Sequence, residues 1–174
     1  MSERIKWTDR LFDSNFPVEL YPEMIERLRG TPARLVDRIG SLRADVLTRR
    51  DGDRWSIQET AAHLLDLEPL VMQRLEEYIA HARDLHAADM TNRKTYEANH
   101  NDVSVGSILN GFRGARMRLV EHLDGLEPEV FARVAIHPRL KAPMRLVDMI
   151  FFQAEHDDYH LARITELLKL FANG

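Results

Sequence analysis

The chain contains no cysteine, so it encodes no disulfide framework, thiolate metal site, cysteine nucleophile or redox switch. Any metal ion must be held by His, Asp and Glu, and any thiol that takes part in chemistry must come from outside. Proline and glycine are sparse, at 7 and 8 of 174 residues, which excludes collagen-like and low-complexity architectures. Nowhere do 18 consecutive apolar residues occur, and the opening MSERIKWTDRLFD has no long apolar segment behind its charges. Neither a transmembrane helix nor a signal peptide is therefore expected, and the default is a cytoplasmic protein with no membrane partner. A basic surplus is missing too: 24 Lys and Arg stand against 28 Asp and Glu, a formal net charge of −4. Nucleic-acid backbones are not the expected partner. Motifs of the GxxxxGKS, GxGxxG and GxSxG types are absent, which removes the usual anchors of phosphate-loop and nucleophile-elbow chemistry.

What is present suits a helical globule: 44% hydrophobic and 30% charged residues in a length that makes one core. A single domain over residues 1–174 is expected. The first stretch, through Phe16 and Pro17, is polar with scattered aromatics and should wrap over the outside with little regular structure. A short helix is expected over Glu23 to Arg29. Gly30-Thr31-Pro32 then reads as a stop, an N-cap and a first-turn proline for a second helix to about Gly40. Leu42 to Arg50 could add a further turn or two. Pro at a first turn and Pro inside a helix look alike in sequence, so one kinked helix is the alternative.

Trp55-Ser56-Ile57-Gln58-Glu59 carries a capping box, Ser56 to the Glu59 amide and Glu59 back again. The apolar stripe behind it predicts a long helix to about His86, kinked at Pro69. Residues 87–102 turn polar and read as a long connection of the kind that is often functional. Ser104 caps a helix to about Leu123 whose buried side includes Ile108, Leu109, Phe112, Met117, Leu119 and Val120. Phe131, Val134 and Ile136 alternate but are too isolated for a sheet, so 127–143 reads as mostly loop. A last helix runs from near Pro143 to about Phe171. Three long helices and a broken first one make an all-α four-helix bundle, with short extra helices near the N-terminus.

Of eight histidines, His156 and His160 are the most informative. Residues four apart stack on one helix face, so both imidazoles can point at one ion. At about 100° per residue, Met149, Gln153, Ile164, Leu167 and Phe171 share that face, which turns the pair to the core. Burying two imidazoles costs free energy unless their nitrogens find partners, and one ion satisfies a nitrogen on each. The alternative is a hydrogen bond to a buried acid or water. His63, at the edge of the apolar arc of the second long helix beside Leu67 and Leu70, supplies a third imidazole. Three histidines from two helices suit Zn, Ni or Fe(II) and leave coordination positions open for water or substrate, which favours catalysis over a structural metal. Glu59 and Asp66, one turn either side of His63, and Asp157, beside the pair, are candidates to orient an imidazole through its second nitrogen. Alternatively, Glu59 is only the capping-box acid and Asp157 is solvated. His100 in the long connection could approach the ion; His81, His86, His122 and His137 read as surface or interface residues.

Trp55-Ser56-x-x-Glu59-x-x-x-His63-Leu64-x-Asp66, followed far downstream by His156-Asp157-Asp158-Tyr159-His160, resembles the DinB and YfiT-like superfamily. So do Arg29-Gly30-Thr31-Pro32-Ala33-Arg34-Leu35 and Leu161-Ala162-Arg163-Ile164, and the match spans about residues 24 to 168. The resemblance implies an up-down-down-up four-helix bundle, often a homodimer, with His63, His156 and His160 as metal ligands. It also implies a choice of activities, since such proteins include metal-dependent transferases that join low-molecular-weight thiols to electrophiles, an isomerase with a thiol cofactor, and hydrolases. A metal-dependent enzyme acting on a small molecule, as thiol S-transferase or hydrolase, with a low-molecular-weight thiol as co-substrate in the first case, is the leading expectation. A non-catalytic, stress-related protein that binds metal or a small ligand is the alternative.

Overall fold

The computed structural model describes residues 4–172. Four long helices form the body: α1 (Tyr21–Ile39), α3 (Ile57–Ile79), α5 (Val105–Asp124) and α6 (Leu146–Ala172), with the one-turn α2 (Ala44–Leu47) and α4 (Arg93–Glu97) in the connections. Each long helix packs on two others, giving the cyclic order α1, α5, α3, α6. Their directions follow from paired residues. Gly111 lies against Leu65, and Arg116 pairs with Glu68, so α3 and α5 run parallel. Arg27, Thr31 and Arg38 meet Glu155, Asp157 and Thr165, so α1 and α6 are parallel as well. His63 faces His160 while Tyr78 reaches the Met144 carbonyl just before α6, so α3 opposes α6. This is the up-down-down-up arrangement.

Two apolar clusters fill the bundle, and Leu64, Val71, Leu75, Phe112, Leu119, Ile150, Ile164 and Leu167 are all buried in them, as the helical spacing predicts. Met117, expected on the buried side of α5, is instead exposed. Leu167 is fully buried on the same helix as the histidine pair. Leu167→Ala should therefore cost roughly 2 to 5 kcal/mol through lost apolar contact and the cavity left behind. A urea-melt difference well under 1 kcal/mol would contradict that burial.

Several expectations are corrected. The break at Gly30-Thr31-Pro32 does not occur: α1 runs continuously through Pro32. A proline inside a helix leaves the carbonyl four residues back without its amide donor. Here that carbonyl belongs to Leu28, and the Arg116 guanidinium from α5 donates to it at 3.4 Å. A tertiary contact thus replaces the missing backbone bond. Helix α3 keeps its capping box, with Ser56 and Glu59 bonded reciprocally, and runs through Pro69, but it stops at Ile79 rather than near His86. His81 takes a left-handed conformation (φ 56°), its amide bonds Tyr78, and the Ala82 amide bonds Glu77, a Schellman closure made without glycine.

Residues 127–143 are not mostly loop. Val134–His137 (β1) and Ala142–Arg145 (β2) form an antiparallel hairpin, and Ile136 also bonds the backbone of Arg83 and Leu85. The second strand, Ala-Pro-Met-Arg, has no apolar alternation to announce it. Helix α6 consequently starts at Leu146, not near Pro143. No described helix is long and apolar enough to cross a membrane.

Candidate metal centre

His63 projects from the second turn of α3, while His156 and His160 stand one turn apart in the middle of α6. The antiparallel packing of those helices brings all three together. One ligand nitrogen from each lies within 4.8 Å of the others, and all three residues are buried. The Nε2 atoms of His156 and His160 are 3.1 Å apart. Two nitrogens at about 2.0 to 2.1 Å from one ion, subtending about 90 to 110°, stand about 2.8 to 3.4 Å apart, so this spacing fits a shared ion.

A proton count identifies the free nitrogen of His63. Its Nδ1 lies 3.1 Å from the Thr95 hydroxyl oxygen, and that hydroxyl donates its single proton to Asp66 Oδ2 at 2.9 Å. Thr95 must therefore accept from His63, which places the proton on Nδ1 and leaves the Nε2 lone pair for the site. His100 Nε2 lies 2.8 Å from the same Asp66 oxygen, and the Lys94 ammonium lies 3.4 Å from the other. Asp66 thus acts on His63 through Thr95, and His100 stands behind Asp66 rather than beside the three imidazoles. Thr95 was invisible as a site residue in sequence. It arrives on α4, inside the connection whose length alone hinted at a role.

The other two acids are occupied elsewhere. Glu59 accepts from the Ser56 amide and pairs with Arg50. Burial pushes its carboxyl up, but Arg50 and Ser56 more than offset this and hold it below the ordinary value. Asp157 is fully buried, not solvated. It takes Arg116 Nη1 at 2.5 Å and lies 2.8 Å from the Thr31 hydroxyl and 3.2 Å from Gln153 Nε2. Arg116 also binds Glu68 at 2.6 Å. This buried guanidinium with two carboxylates ties α1, α3, α5 and α6 together immediately behind His156. Both Glu68 and Arg116 occupy stripe positions of their helices, a signal that was there to be read.

Two tryptophans pack against the imidazoles. Trp55 lies 4.7 Å from His63 and Trp7 lies 5.0 Å from His156, ring centre to ring centre. The N-terminal stretch does wrap the outside, and in doing so Trp7 closes one side of the site. Burial is the main reason the three imidazoles resist protonation: His63 falls to about 4, Asp66 offsetting only part of the burial, and His156 and His160 lie well below their ordinary value, with His63 adding to the effect at both. At neutral pH the set is therefore uncharged and its lone pairs are available. It opens onto a cavity of about 1180 Å³ also lined by Leu67, Phe152 and Tyr159.

His81, His86 and His122 are exposed as expected, but His137 is buried, on the hairpin that sequence did not reveal. Its pKa drops to about 4, mainly by burial and then by Arg74 and Arg139. Histidines with depressed folded values make acid destabilising: between about pH 6.5 and 4 the unfolded chain binds more protons than the folded one, so stability is lost as pH falls through that window. For His63 alone the loss by pH 5 is roughly 1 to 2 kcal/mol. Urea melts of chelator-treated protein at pH 7 and pH 5 measure it. His63→Gln should flatten the dependence, and an unchanged slope would mean that His63 is solvated.

The comparisons with known proteins concern the fold and the family. A solved structure of YfiT from Bacillus subtilis, described as a probable metal-dependent hydrolase with an unusual four-helix bundle topology, superposes with a TM-score of 0.80 at 20% identity, covering 94% of each chain. A mycothiol-dependent maleylpyruvate isomerase superposes with a TM-score of 0.65 at 8% identity over 85% of this chain, which spans 60% of the isomerase's length. At these identities the likeness shows the fold. No curated protein matches the chain. The family match is direct: residues 27–164 fit the DinB superfamily, and with more than half its length matched, the chain belongs to that superfamily.

Proposed function

We propose that this protein is a metal-dependent enzyme acting on a small molecule, with His63, His156 and His160 as the ligands of one divalent ion. The observation that carries the reading is the convergence of three buried, uncharged imidazoles at the wall of a large cavity. A divalent Zn, Ni or Fe ion there would lower the pKa of the water or thiol it takes up and so provide a nucleophile at neutral pH. The chain's own residues do the rest. Thr95 and Asp66 hold the His63 ring in the tautomer with Nε2 free, and Trp7 and Trp55 pack against His156 and His63. Because the ligand set has no carboxylate, the ion's charge is not neutralised by the protein, which strengthens its pull on an anionic nucleophile.

Thiol transfer to an electrophile is the favoured reaction, because the cavity exceeds the range of about 300 to 1,000 Å³ common for a single small ligand. It has room for a thiol and its acceptor together. The solved mycothiol-dependent isomerase of like fold is in keeping with this, and YfiT's description favours hydrolysis as the second reading. Metal analysis of the native protein, followed by assay of the loaded protein on small electrophiles and esters with and without a low-molecular-weight thiol, separates them. Thiol-dependent turnover supports transfer. Thiol-independent turnover supports hydrolysis. Bound metal without turnover would leave a binding protein and sink the enzyme reading.

A further inference from the structure

Along one part of the cavity wall, positive charge is gathered. Arg74 of α3, Arg139 of the hairpin turn and His137 of β1 all line it. Burial opposes the charge on His137 and on Arg74; both arginines add to it at His137, and at Arg74 the Glu77 charge partly offsets the burial while Arg139 adds to it. Among the described residues neither arginine makes an ion pair, whereas the cavity-lining Arg4 and Arg163 both reach Glu166. Arg74 uses Nε on the His86 carbonyl, and Arg139 uses one Nη on the Thr8 carbonyl; its other Nη is buried without a partner.

His137 completes the pattern. Its Nδ1 accepts the Leu140 amide at 3.2 Å, so in the neutral ring the proton sits on Nε2. That Nε2 is buried, on a residue only 2% exposed, and has no partner. A buried donor left unpaired is costly, and here two such donors belong to residues that line one cavity, beside a second arginine without an ion pair. Buried, perturbed ionisable groups that line a cleft mark a candidate binding site.

We propose that Arg74, Arg139 and the Nε2–H of His137 form a subsite for an anionic oxygen group, the carboxylate or phosphate of the substrate. Phe152 gives the scale. Its ring lies 5.2 Å from the His137 ring and 5.5 Å from the Arg139 guanidinium, and it precedes His156 by four residues on α6. Phe152 therefore stands about one helical turn from His156 along α6, and the Arg139 charge acts on His156. A substrate anchored by its anionic end lays an apolar or unsaturated body across Phe152 and presents an atom a few bonds away to the metal centre. The substrate class is thus small acids, and the proposal rests on the small-molecule reading above but not on the identity or presence of the metal.

The test uses full-length, chelator-treated protein and calorimetric titration with benzoate, phenyl phosphate and the neutral isostere benzamide. The tighter of the two anions should bind at least about tenfold better than benzamide, as charge-assisted hydrogen bonds require, and which anion it is tells carboxylate from phosphate. R74Q and R139Q should each erase most of that preference while leaving benzamide affinity within about twofold; R139Q serves should R74Q fail to fold, as far-UV circular dichroism reports. Equal binding of anions and benzamide, or a preference unchanged in folded R74Q and R139Q, overturns the proposal. Metal content measured on the same preparations before chelation tests the metal reading separately, because its failure leaves the anion preference intact.

Discussion

Replacing Arg116 by methionine is expected to destabilise the protein by about 3 to 5 kcal/mol, the usual consequence of removing one partner from a buried ionic network. Arg116 is completely buried, and its guanidinium bonds Glu68, Asp157 and the Leu28 carbonyl. Burial opposes its charge, but the two carboxylates hold its pKa above the ordinary value. Burial likewise raises Glu68, with Arg116 holding it down. Without the guanidinium, two acids face each other in the core, and the Leu28 carbonyl loses the donor that compensates for Pro32. Urea melts at a fixed m-value would read the loss. Neutralising the whole group, as R116M with Glu68→Gln and Asp157→Asn, should recover part of it, because the cost lies in uncompensated charge rather than in the absence of the pair. A single-variant loss below about 1 kcal/mol would mean that water reaches the group and that it does not organise the core behind His156.

His160→Ala is expected to weaken divalent metal binding by about 100-fold or more, since loss of a ligand should exceed the 10- to 100-fold typical of its supporting hydrogen bonds, while the helices persist. Titration of chelator-treated protein with Zn, Ni and Fe(II) measures the first, and far-UV circular dichroism the second. Thr95→Val provides a graded comparison. It leaves all three imidazoles but removes the oxygen that accepts the His63 Nδ1 proton, so affinity should fall about 10- to 100-fold. Should His160→Ala bind metal as tightly as the native protein, the ion sits elsewhere and the proposed centre fails. Should Thr95→Val have no effect, the His63 ring is held by packing against Trp55 instead.

The pair His156 and His160 was legible in sequence because helical periodicity is local: a spacing of four puts both on one face, and the apolar residues sharing it say which way that face turns, whereas His63 joined them through the family resemblance. Asp66 was legible as a neighbour of His63, but not that it works through a threonine 29 residues further on. Periodicity failed at α1, where Gly30-Thr31-Pro32 carries every local sign of a break and the helix nonetheless continues. There the deciding partner, Arg116, comes from another helix. The same holds for His137: Ala142–Arg145 pairs with it as a strand although its own residues give no strand pattern, so neither the hairpin nor the burial of His137 could be inferred from either segment alone.

By itself, then, the chain's sequence determined the helices with strong stripes, the capping boundary at Ser56, the absence of cysteine from any chemistry and the inward-facing pair His156 and His160, because each of these depends on residues within a turn or two or on composition. Only the tertiary structure decided that α1 is unbroken, that Asp157 is tied to Arg116 rather than to an imidazole, that Thr95 fixes the His63 tautomer, and that Arg74, Arg139 and His137 meet in one cavity. Those outcomes depend on which donors and acceptors from distant segments are brought within about 3 Å after the chain has closed on itself. A hydrogen bond's partner is a property of the packed bundle, whereas a stripe's direction is already a property of the helix.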